Sequence, residues 1–151
     1  GEQPVVPAAG HNRRVPVFGG LDARTGVLTL HLAERKRTAD FLAFLRLLLQ
    51  RYAGRHVFLF LDNCAIHNSR AALRFLADHR ARITPIWNAP YAPEINLIER
   101  YWGHLKAKAI HNDYFRTVES LCTAIRQAAR ALNRSRTLRL QLTLRTFRRS
   151  A

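Results

Sequence analysis

The most constraining stretch of this chain is a run of six mostly apolar residues, His56 to Leu61, which ends at Asp62. Apolar runs of this length, bounded by polar residues, are typical of strands buried on both faces of a sheet. In open α/β sheets, ligands bind outside the carboxyl ends of such strands. From this stretch alone, Asp62 is either a functional carboxylate at the sheet edge or a cap of the following helix.

The pattern around this run predicts strands that alternate with helices. An antiparallel hairpin is predicted at 15–18 and 27–32, after a loop over residues 1–14. Further strands are predicted at 56–61 and 83–87, and helices after Thr38, after Asn68 or Ser69, after Pro93 and after Thr117. This order predicts an α/β fold with a mixed sheet flanked by helices.

The Arg-rich end of the chain, residues 134–151, is predicted to be a basic tail that follows the domain at 1–133. Its Leu residues, from Leu138 to Leu144, alternate with polar residues, which is the periodicity of a strand. A DNA-contacting tail and a disordered charged end are both compatible with this composition.

The net charge of the chain indicates what kind of partner it binds. Lys and Arg number 25 against 10 Asp and Glu, a formal net charge of +15. A compact domain this basic favours a polyanionic partner, most commonly nucleic acid. The alternative is an Arg-rich surface without a specific partner.

Two cysteines, Cys64 and Cys122, are too few and too far apart to predict a zinc site, and are expected to be small buried residues in a reducing compartment. No apolar stretch reaches the roughly 18 residues needed to cross a bilayer. The chain does not begin with Met and contains none, so we expect it to be a piece of something longer.

Two of the ten acids stand out by position. Asp62 follows the apolar strand, and Glu99 lies beside Ile98 at the edge of an apolar helical stripe, with 36 residues between the two acids. Carboxylates that converge at the end of a strand can hold Mg²⁺ or Mn²⁺, which prefer oxygen ligands. Such ions promote in-line displacement at a phosphodiester. Any α/β protein can show one Asp after a strand and one Glu on a helix, so spacing alone leaves the question open.

The residues around these acids are more specific than their spacing. The segments Leu61-Asp-Asn-Cys-Ala-Ile-His67 and Asn88-Ala-Pro-Tyr-Ala-Pro-Glu-Ile-Asn-Leu-Ile-Glu-Arg-Tyr-Trp-Gly-His-Leu-Lys106 resemble the second and third acidic motifs of DDE transposases of mariner-like insertion sequences. The resemblance covers about residues 15–112. Ala92 stands where serine is usual, and Leu97 stands where proline is usual.

The resemblance implies a ribonuclease-H-like fold in which Asp62 is the second catalytic acid and Glu99 the third. It implies metal-dependent DNA strand cleavage and strand transfer with Mg²⁺ or Mn²⁺. The implied partners are the double-stranded DNA of transposon ends and target, and a second subunit in the full-length protein. The expected location is the bacterial cytoplasm, in association with the nucleoid.

One departure from the family concerns the first catalytic acid. In the family it lies on the first strand of the sheet, ahead of a segment like Val17 to Asp22. No Asp precedes Asp22 here, so we expect the first strand and its Asp to be missing from this sequence. Asp22 lies in a glycine-flanked turn, which is the wrong place for a metal ligand that faces Asp62.

Three basic side chains are candidate contacts of nucleic acid. Lys106 lies on the same helical face as Glu99, and Lys108 follows closely. His67 either supports the acid, contacts DNA or caps the next helix. Tyr101 and Trp102 are expected to be core residues.

Three functions are compatible with these observations. The first is the catalytic domain of a transposase. The second is a non-catalytic DNA-binding remnant of a truncated insertion element, which keeps the basic surface without a complete acid triad. The third is a stand-alone ribonuclease-H-like nuclease that cuts RNA–DNA hybrids.

Overall fold

The computed structural model describes residues 5–7, 14–88, 98–110, 115 and 117–144. Its elements, in chain order, are β1 (Val5–Pro7), β2 (Arg14–Leu21), β3 (Leu28–Leu32), α1 (Thr38–Arg51), β4 (Val57–Leu61), α2 (Arg70–Asp78), β5 (Ile83–Trp87), α3 (Ile98–Ile110), α4 (Val118–Arg134) and α5 (Arg136–Leu144). The chain divides into two units. Unit 1 contains α1, β4, α2 and β5, and unit 2 contains the other elements.

Unit 2 contains an antiparallel sheet in the order β1-β2-β3. The predicted hairpin is confirmed, with a register that runs from Val17 opposite Leu32 to Leu21 opposite Leu28. The prediction of a loop over residues 1–14 is wrong for Val5–Pro7, which pair with the start of β2. Two successive valines, which favour extended backbone, explain this short strand.

Helices α3 and α4 pack on this sheet through the apolar stripes that their sequences predict. The buried residues of this core come from both helices and from the hairpin, and they are Val15, Val17, Leu28, Tyr101, Trp102, Leu105, Ala109, Leu121, Ile125, Ala129 and Leu132. The side chain of Asn133 also joins α4 to β3, because its amide accepts from the N–H of Leu28 and donates to the C=O of Leu28, both at 2.8 Å. Thr117 caps α4, as predicted, by accepting from the N–H of Ser120.

The prediction of strand periodicity in the Arg-rich end is wrong for residues 136–144, which form helix α5. Leu138 and Leu142 are one helical turn apart and pack against the core of unit 2, whereas Leu140 between them is exposed. Leucines at every second position fit the periodicity of a strand, but every second one of them also lies on one side of a short helix. The N–H of Leu138, which donates to the Ser135 hydroxyl, stabilises the helical start.

In unit 1, the predicted helix after Thr38 is confirmed, but Thr38 is not its cap. Helix α1 begins at Thr38, and Arg37 holds the cap position without a side-chain capping bond. The Arg37 guanidinium instead pairs with Asp40 in the first turn at 3.1 Å. Ser69 caps α2 by accepting from the N–H of Ala72, which confirms one of the two predicted caps.

Strand β4 lies where it was predicted, but its burial on both faces is contradicted. Leu61 is buried on one face, whereas Phe58 and Phe60 on the other face are each 63% exposed. Within the part of the chain that the structure describes, β4 pairs with β5 along one edge only. The apolar run reports the strand correctly but says nothing about whether a layer covers each face. The predicted helix start at Pro93 and Glu94 lies outside the described residues.

Gly19 in β2 should be intolerant of any side chain, because a Cβ there would lie 2.6 Å from Cζ2 of the buried Trp102 ring and closer still to Cη2. We expect Gly19→Ala to lower the free energy of unfolding by about 1–3 kcal/mol, the usual cost of overpacking. Chemical denaturation followed by circular dichroism measures this change.

Gly103→Ala is the matched control for Gly19→Ala. Gly103 lies on α3 next to Trp102, and among the described atoms a Cβ there would meet nothing within 4 Å. This variant should be neutral or more stable by up to about 1 kcal/mol, because Ala favours helix more than Gly does. Equal stabilities of the two variants would contradict the packing of Trp102 on β2.

Candidate active site

The candidate site begins where β4 and β5 end together. The two strands pair in parallel, from Val57 opposite Ile83 to Leu61 opposite Trp87. The N–H of Asn88 then donates to the C=O of Leu61 at 2.8 Å, which continues the pairing to the strand ends. Asp62 follows β4 directly, so its carboxylate lies at the carboxyl edge of this parallel pair.

A tight turn follows Asp62 and brings the chain back toward it. The C=O of Cys64 accepts from the N–H of His67 at 3.0 Å and of Asn68 at 3.1 Å. The N–H of Cys64 donates to Oδ1 of Asp62 at 3.2 Å. Helix α2 begins only at Arg70 with Ser69 as its cap, so the interpretation of Asp62 as the cap of this helix is wrong.

His67 is the main side-chain partner of Asp62 in this turn. Its Nδ1 lies 2.8 Å from Oδ1 of Asp62 and 3.2 Å from the C=O of Asp62. His67 is 6% exposed, and its ring centroid lies 4.4 Å from that of Phe41 on α1. Packing against Phe41 therefore limits the positions that the imidazole can take. Ser69 and not His67 caps α2, so the interpretation of His67 as a helix cap is wrong. A contact of His67 with DNA stays a prediction.

The carboxyl group of Asp62 is held in its charged form. Burial alone raises the pKa of Asp62, but polar contacts that include the charge of His67 and the N–H of Cys64 lower it, and the net pKa lies below the ordinary value. The side chain keeps 24% of its surface exposed. Asp62 is thus an ionised carboxylate that is fixed in position yet accessible.

Cys64 belongs to the same cluster, which sequence reasoning missed. The ligand atoms of Asp62, Cys64 and His67 all lie within 4.8 Å of one another. Cys64 is also partly exposed rather than buried as predicted. A search for pairs of cysteines overlooks this arrangement, whereas the spacing Asp-x-Cys-x-x-His on a turn after a strand could have revealed it.

Glu99 lies in unit 2, in the first turn of α3, and its side chain is exposed. The buried Tyr101 and Trp102 follow it, which confirms that these two aromatic residues belong to the core. Lys106 and Lys108 are exposed on the same helix. Asp62 and Glu99 belong to different units of the chain, and their convergence on one metal site stays a prediction.

Asp22 has a structural role. Its Oδ1 accepts from the N–H of Arg24 at 2.9 Å and of Thr25 at 3.2 Å, and its C=O accepts from the N–H of Gly26. Gly26 has a φ of +70°, a conformation that favours glycine. The carboxylate of Asp22 therefore stabilises the turn between β2 and β3, as its position in the sequence indicates.

Comparison with known proteins gives the class of the chain. The family described as DDE superfamily endonuclease matches residues 1–122, and the chain belongs to this family. A curated relative is the insertion element IS630 uncharacterized 39 kDa protein of Shigella sonnei, 27% identical over 127 residues. The match covers 83% of this chain and 37% of the relative, so the chain spans well under half of that protein's length.

Solved structures give the fold. The catalytic core domain of BIV integrase matches with a TM-score of 0.67 at 16% identity, over 97% of this chain and 94% of that chain. The HTLV-2 integrase catalytic core domain in complex with magnesium gives the same TM-score at 16% identity, over 94% of this chain and 92% of that one. At these identities the likeness concerns the fold alone. It confirms the predicted α/β fold of the ribonuclease-H-like class.

A search of the described helices found none that combines the length and the apolar character of a membrane span.

Replacement of His67 should change the acidity of Asp62. Carboxyl groups titrate at acidic pH, where an imidazole is positively charged, and this charge favours ionised Asp62. We therefore expect His67→Gln to raise the pKa of Asp62. Nuclear magnetic resonance titration of the ¹³C carboxyl signals measures this shift. Asp78, an exposed residue at the end of α2, serves as the internal control, and an unchanged Asp62 titration would contradict the ion pair.

Proposed function

We propose that this chain is the catalytic part of a transposase that cleaves DNA and transfers DNA strands with Mg²⁺ or Mn²⁺, with Asp62 and Glu99 as its catalytic acids. The observation that carries the proposal is the state of Asp62. It is an ionised, accessible carboxylate at the carboxyl end of a parallel strand, held there by His67. Membership of the DDE superfamily endonucleases supports the reaction class.

The residues fit a hard divalent cation. Mg²⁺ and Mn²⁺ prefer oxygen ligands, and Asp62 offers carboxylate oxygens that are already ionised. Glu99 is exposed and free of the apolar core. When bound, such an ion stabilises negative charge on the attacking and leaving oxygens of a phosphodiester.

The protein's own contribution is to hold the ligand. His67 donates to Asp62 from a position fixed by Phe41, and the N–H of Cys64 fixes the same carboxylate from the backbone. A carboxylate oriented in advance loses little conformational entropy when it binds a cation. His67 is therefore proposed as a positioning residue.

The proposed substrate is double-stranded DNA, both transposon ends and target. Arg126, Arg130 and Arg134 recur every fourth residue along α4, and all three are exposed. Side chains at this spacing lie on one side of a helix, where they form a basic row suited to a phosphate backbone. Lys106 and Lys108 on α3 are proposed as further phosphate contacts. Association with the nucleoid and a homodimeric full-length protein belong to the same proposal.

The DNA-binding remnant is a second candidate, and one observation favours it. The ligand group around Asp62, as far as the structure describes the chain, contains a single carboxylate. A site with too few acids would bind the catalytic cation weakly, while the basic surface would still bind DNA.

In the full-length protein, loss of either carboxylate should abolish Mg²⁺-dependent nicking of DNA. We expect Asp62→Asn and Glu99→Gln each to lower the cleavage rate on the order of 1,000-fold, because each removes a ligand whose cation stabilises the transition state by several kcal/mol. Supercoiled plasmid, assayed with Mg²⁺ and with EDTA, is a suitable substrate.

Asp78→Asn and Glu119→Gln are the matched controls for these substitutions. Asp78 is an exposed Asp of unit 1, and Glu119 is an exposed Glu in the first turn of α4. Both variants should retain wild-type cleavage. Wild-type cleavage by Asp62→Asn or Glu99→Gln would contradict the assignment. Salt-sensitive DNA binding without nicking would favour the remnant.

A further inference from the structure

We propose that Asp62, Cys64 and His67 form a binding site for a borderline-soft divalent cation, Zn²⁺ or a similar transition metal. Its ligands differ from those of the proposed magnesium site, which are Asp62 and Glu99. The two sites have only Asp62 in common. Carboxylate oxygen, thiolate sulfur and imidazole nitrogen are the three ligand types that zinc uses in proteins. The set Asp-x-Cys-x-x-His lies within six consecutive residues.

The turn after β4 already gathers the three ligands. Their ligand atoms lie within 4.8 Å of one another, and ligand atoms around tetrahedral zinc lie about 3.3–3.6 Å apart. Small side-chain movements therefore suffice. Oδ1 of Asp62 and Nδ1 of His67, which are 2.8 Å apart, move slightly away from each other, and the more distant atoms move closer. The backbone is fixed by the Cys64 N–H to Asp62 and by the Cys64 C=O, which accepts from His67.

The burial of the three side chains suits an ion with one open position. His67 is buried, while Asp62 and Cys64 are partly exposed, so an ion can enter from the solvent side. Three protein ligands leave the fourth tetrahedral position to water. The metal binds a thiolate and a ring nitrogen without a proton, so binding releases the Cys64 proton to solvent. Where Nδ1 of His67 is the ligand, it gives up its hydrogen bond to Asp62 and the imidazole carries its proton on Nε2.

The ligand chemistry selects against Mg²⁺ at this group. Mg²⁺ demands octahedral oxygen coordination, and two of the three ligands here are sulfur and nitrogen. Thiolate and imidazole favour Zn²⁺ and Co²⁺ instead. One consequence rests on the proposed function: an ion at this site occupies Asp62, so Zn²⁺ should inhibit Mg²⁺-dependent cleavage.

The test is a titration of the full 151-residue chain with Co²⁺, without DNA and in the presence of excess Mg²⁺. Bound Co²⁺ should show the near-ultraviolet charge-transfer band of a cobalt–thiolate bond, and added Zn²⁺ should remove it. Cys64→Ser should abolish the band and weaken Co²⁺ affinity by at least about 100-fold, because loss of a direct ligand costs more than the roughly 10–100-fold that loss of an outer partner costs. Because no DNA is present, failure of the nuclease proposal does not affect this outcome.

Cys122→Ser is the matched control. Cys122 is the other cysteine of the chain and is also partly exposed, on α4 of unit 2. Burial raises the pKa of its thiol and outweighs the opposing charge of Arg126, and Glu119 adds a smaller increase. This variant should keep both the band and the affinity. A band that survives Cys64→Ser or disappears with Cys122→Ser, or the absence of any band in the wild type, would overturn the site.

A second measurement needs no substitution. Zn²⁺ should protect Cys64 from alkylation by iodoacetamide but leave Cys122 reactive, as mass spectrometry of the two peptides would show. Equal protection of both cysteines, or of neither, would contradict the site. Circular dichroism of Cys64→Ser separates a loss of ligand from a loss of fold.

Discussion

The candidate site depends on the parallel pairing of β4 with β5. This pairing runs to Leu61 opposite Trp87, and the N–H of Asn88 extends it by a further hydrogen bond to Leu61. The two strands therefore end at one edge, where backbone N–H and C=O groups are no longer used by the ladder. Asp62 is the first side chain beyond that edge, and its position follows from the register.

His67 is one of the groups that keep that side chain charged. A buried imidazole needs a polar partner, because an unsatisfied polar group is costly in a protein interior. His67 finds its partner in Asp62, and Phe41 from α1 packs against the imidazole ring. The core of unit 1 thus supports the carboxylate directly. The same turn carries Cys64. One short segment therefore offers the carboxylate oxygen that Mg²⁺ prefers, together with the sulfur and nitrogen ligands that Zn²⁺ prefers.

Much of the fold could be predicted, because the stripes of its helices are unambiguous. Tyr101, Trp102 and Leu105 recur at helical spacing and are buried. The exposure of Phe58 and Phe60 could not be predicted, because an apolar run records the preference of a residue and not the presence of a covering layer. Alternation of leucines in α5 fits two periodicities, and packing of Leu138 and Leu142 decides between them.

The positions of the candidate site residues could be predicted where a sequence motif marks them. Asp62 lies at the end of the predicted strand and Glu99 in the first turn of the predicted helix, whereas their joint role as metal ligands stays a prediction. The contact of His67 with Asp62 was one of several open alternatives. A short turn can direct a side chain back to the preceding strand or forward to the following helix, and the sequence does not distinguish the two. The spacing Asp-x-Cys-x-x-His was the one signal in the sequence that Cys64 lies near the same point.

Binding of Mn²⁺ tests the central claim, that Asp62 and Glu99 are metal ligands, most directly. Mn²⁺ is paramagnetic and broadens the carboxyl ¹³C resonances of residues that bind it. The signals of Asp62 and Glu99 should broaden at the lowest Mn²⁺ concentrations, whereas those of Asp78 and Glu119 stay sharp. If Asp62 and Glu99 broaden no more than Asp78 and Glu119, the metal-ligand assignment is wrong.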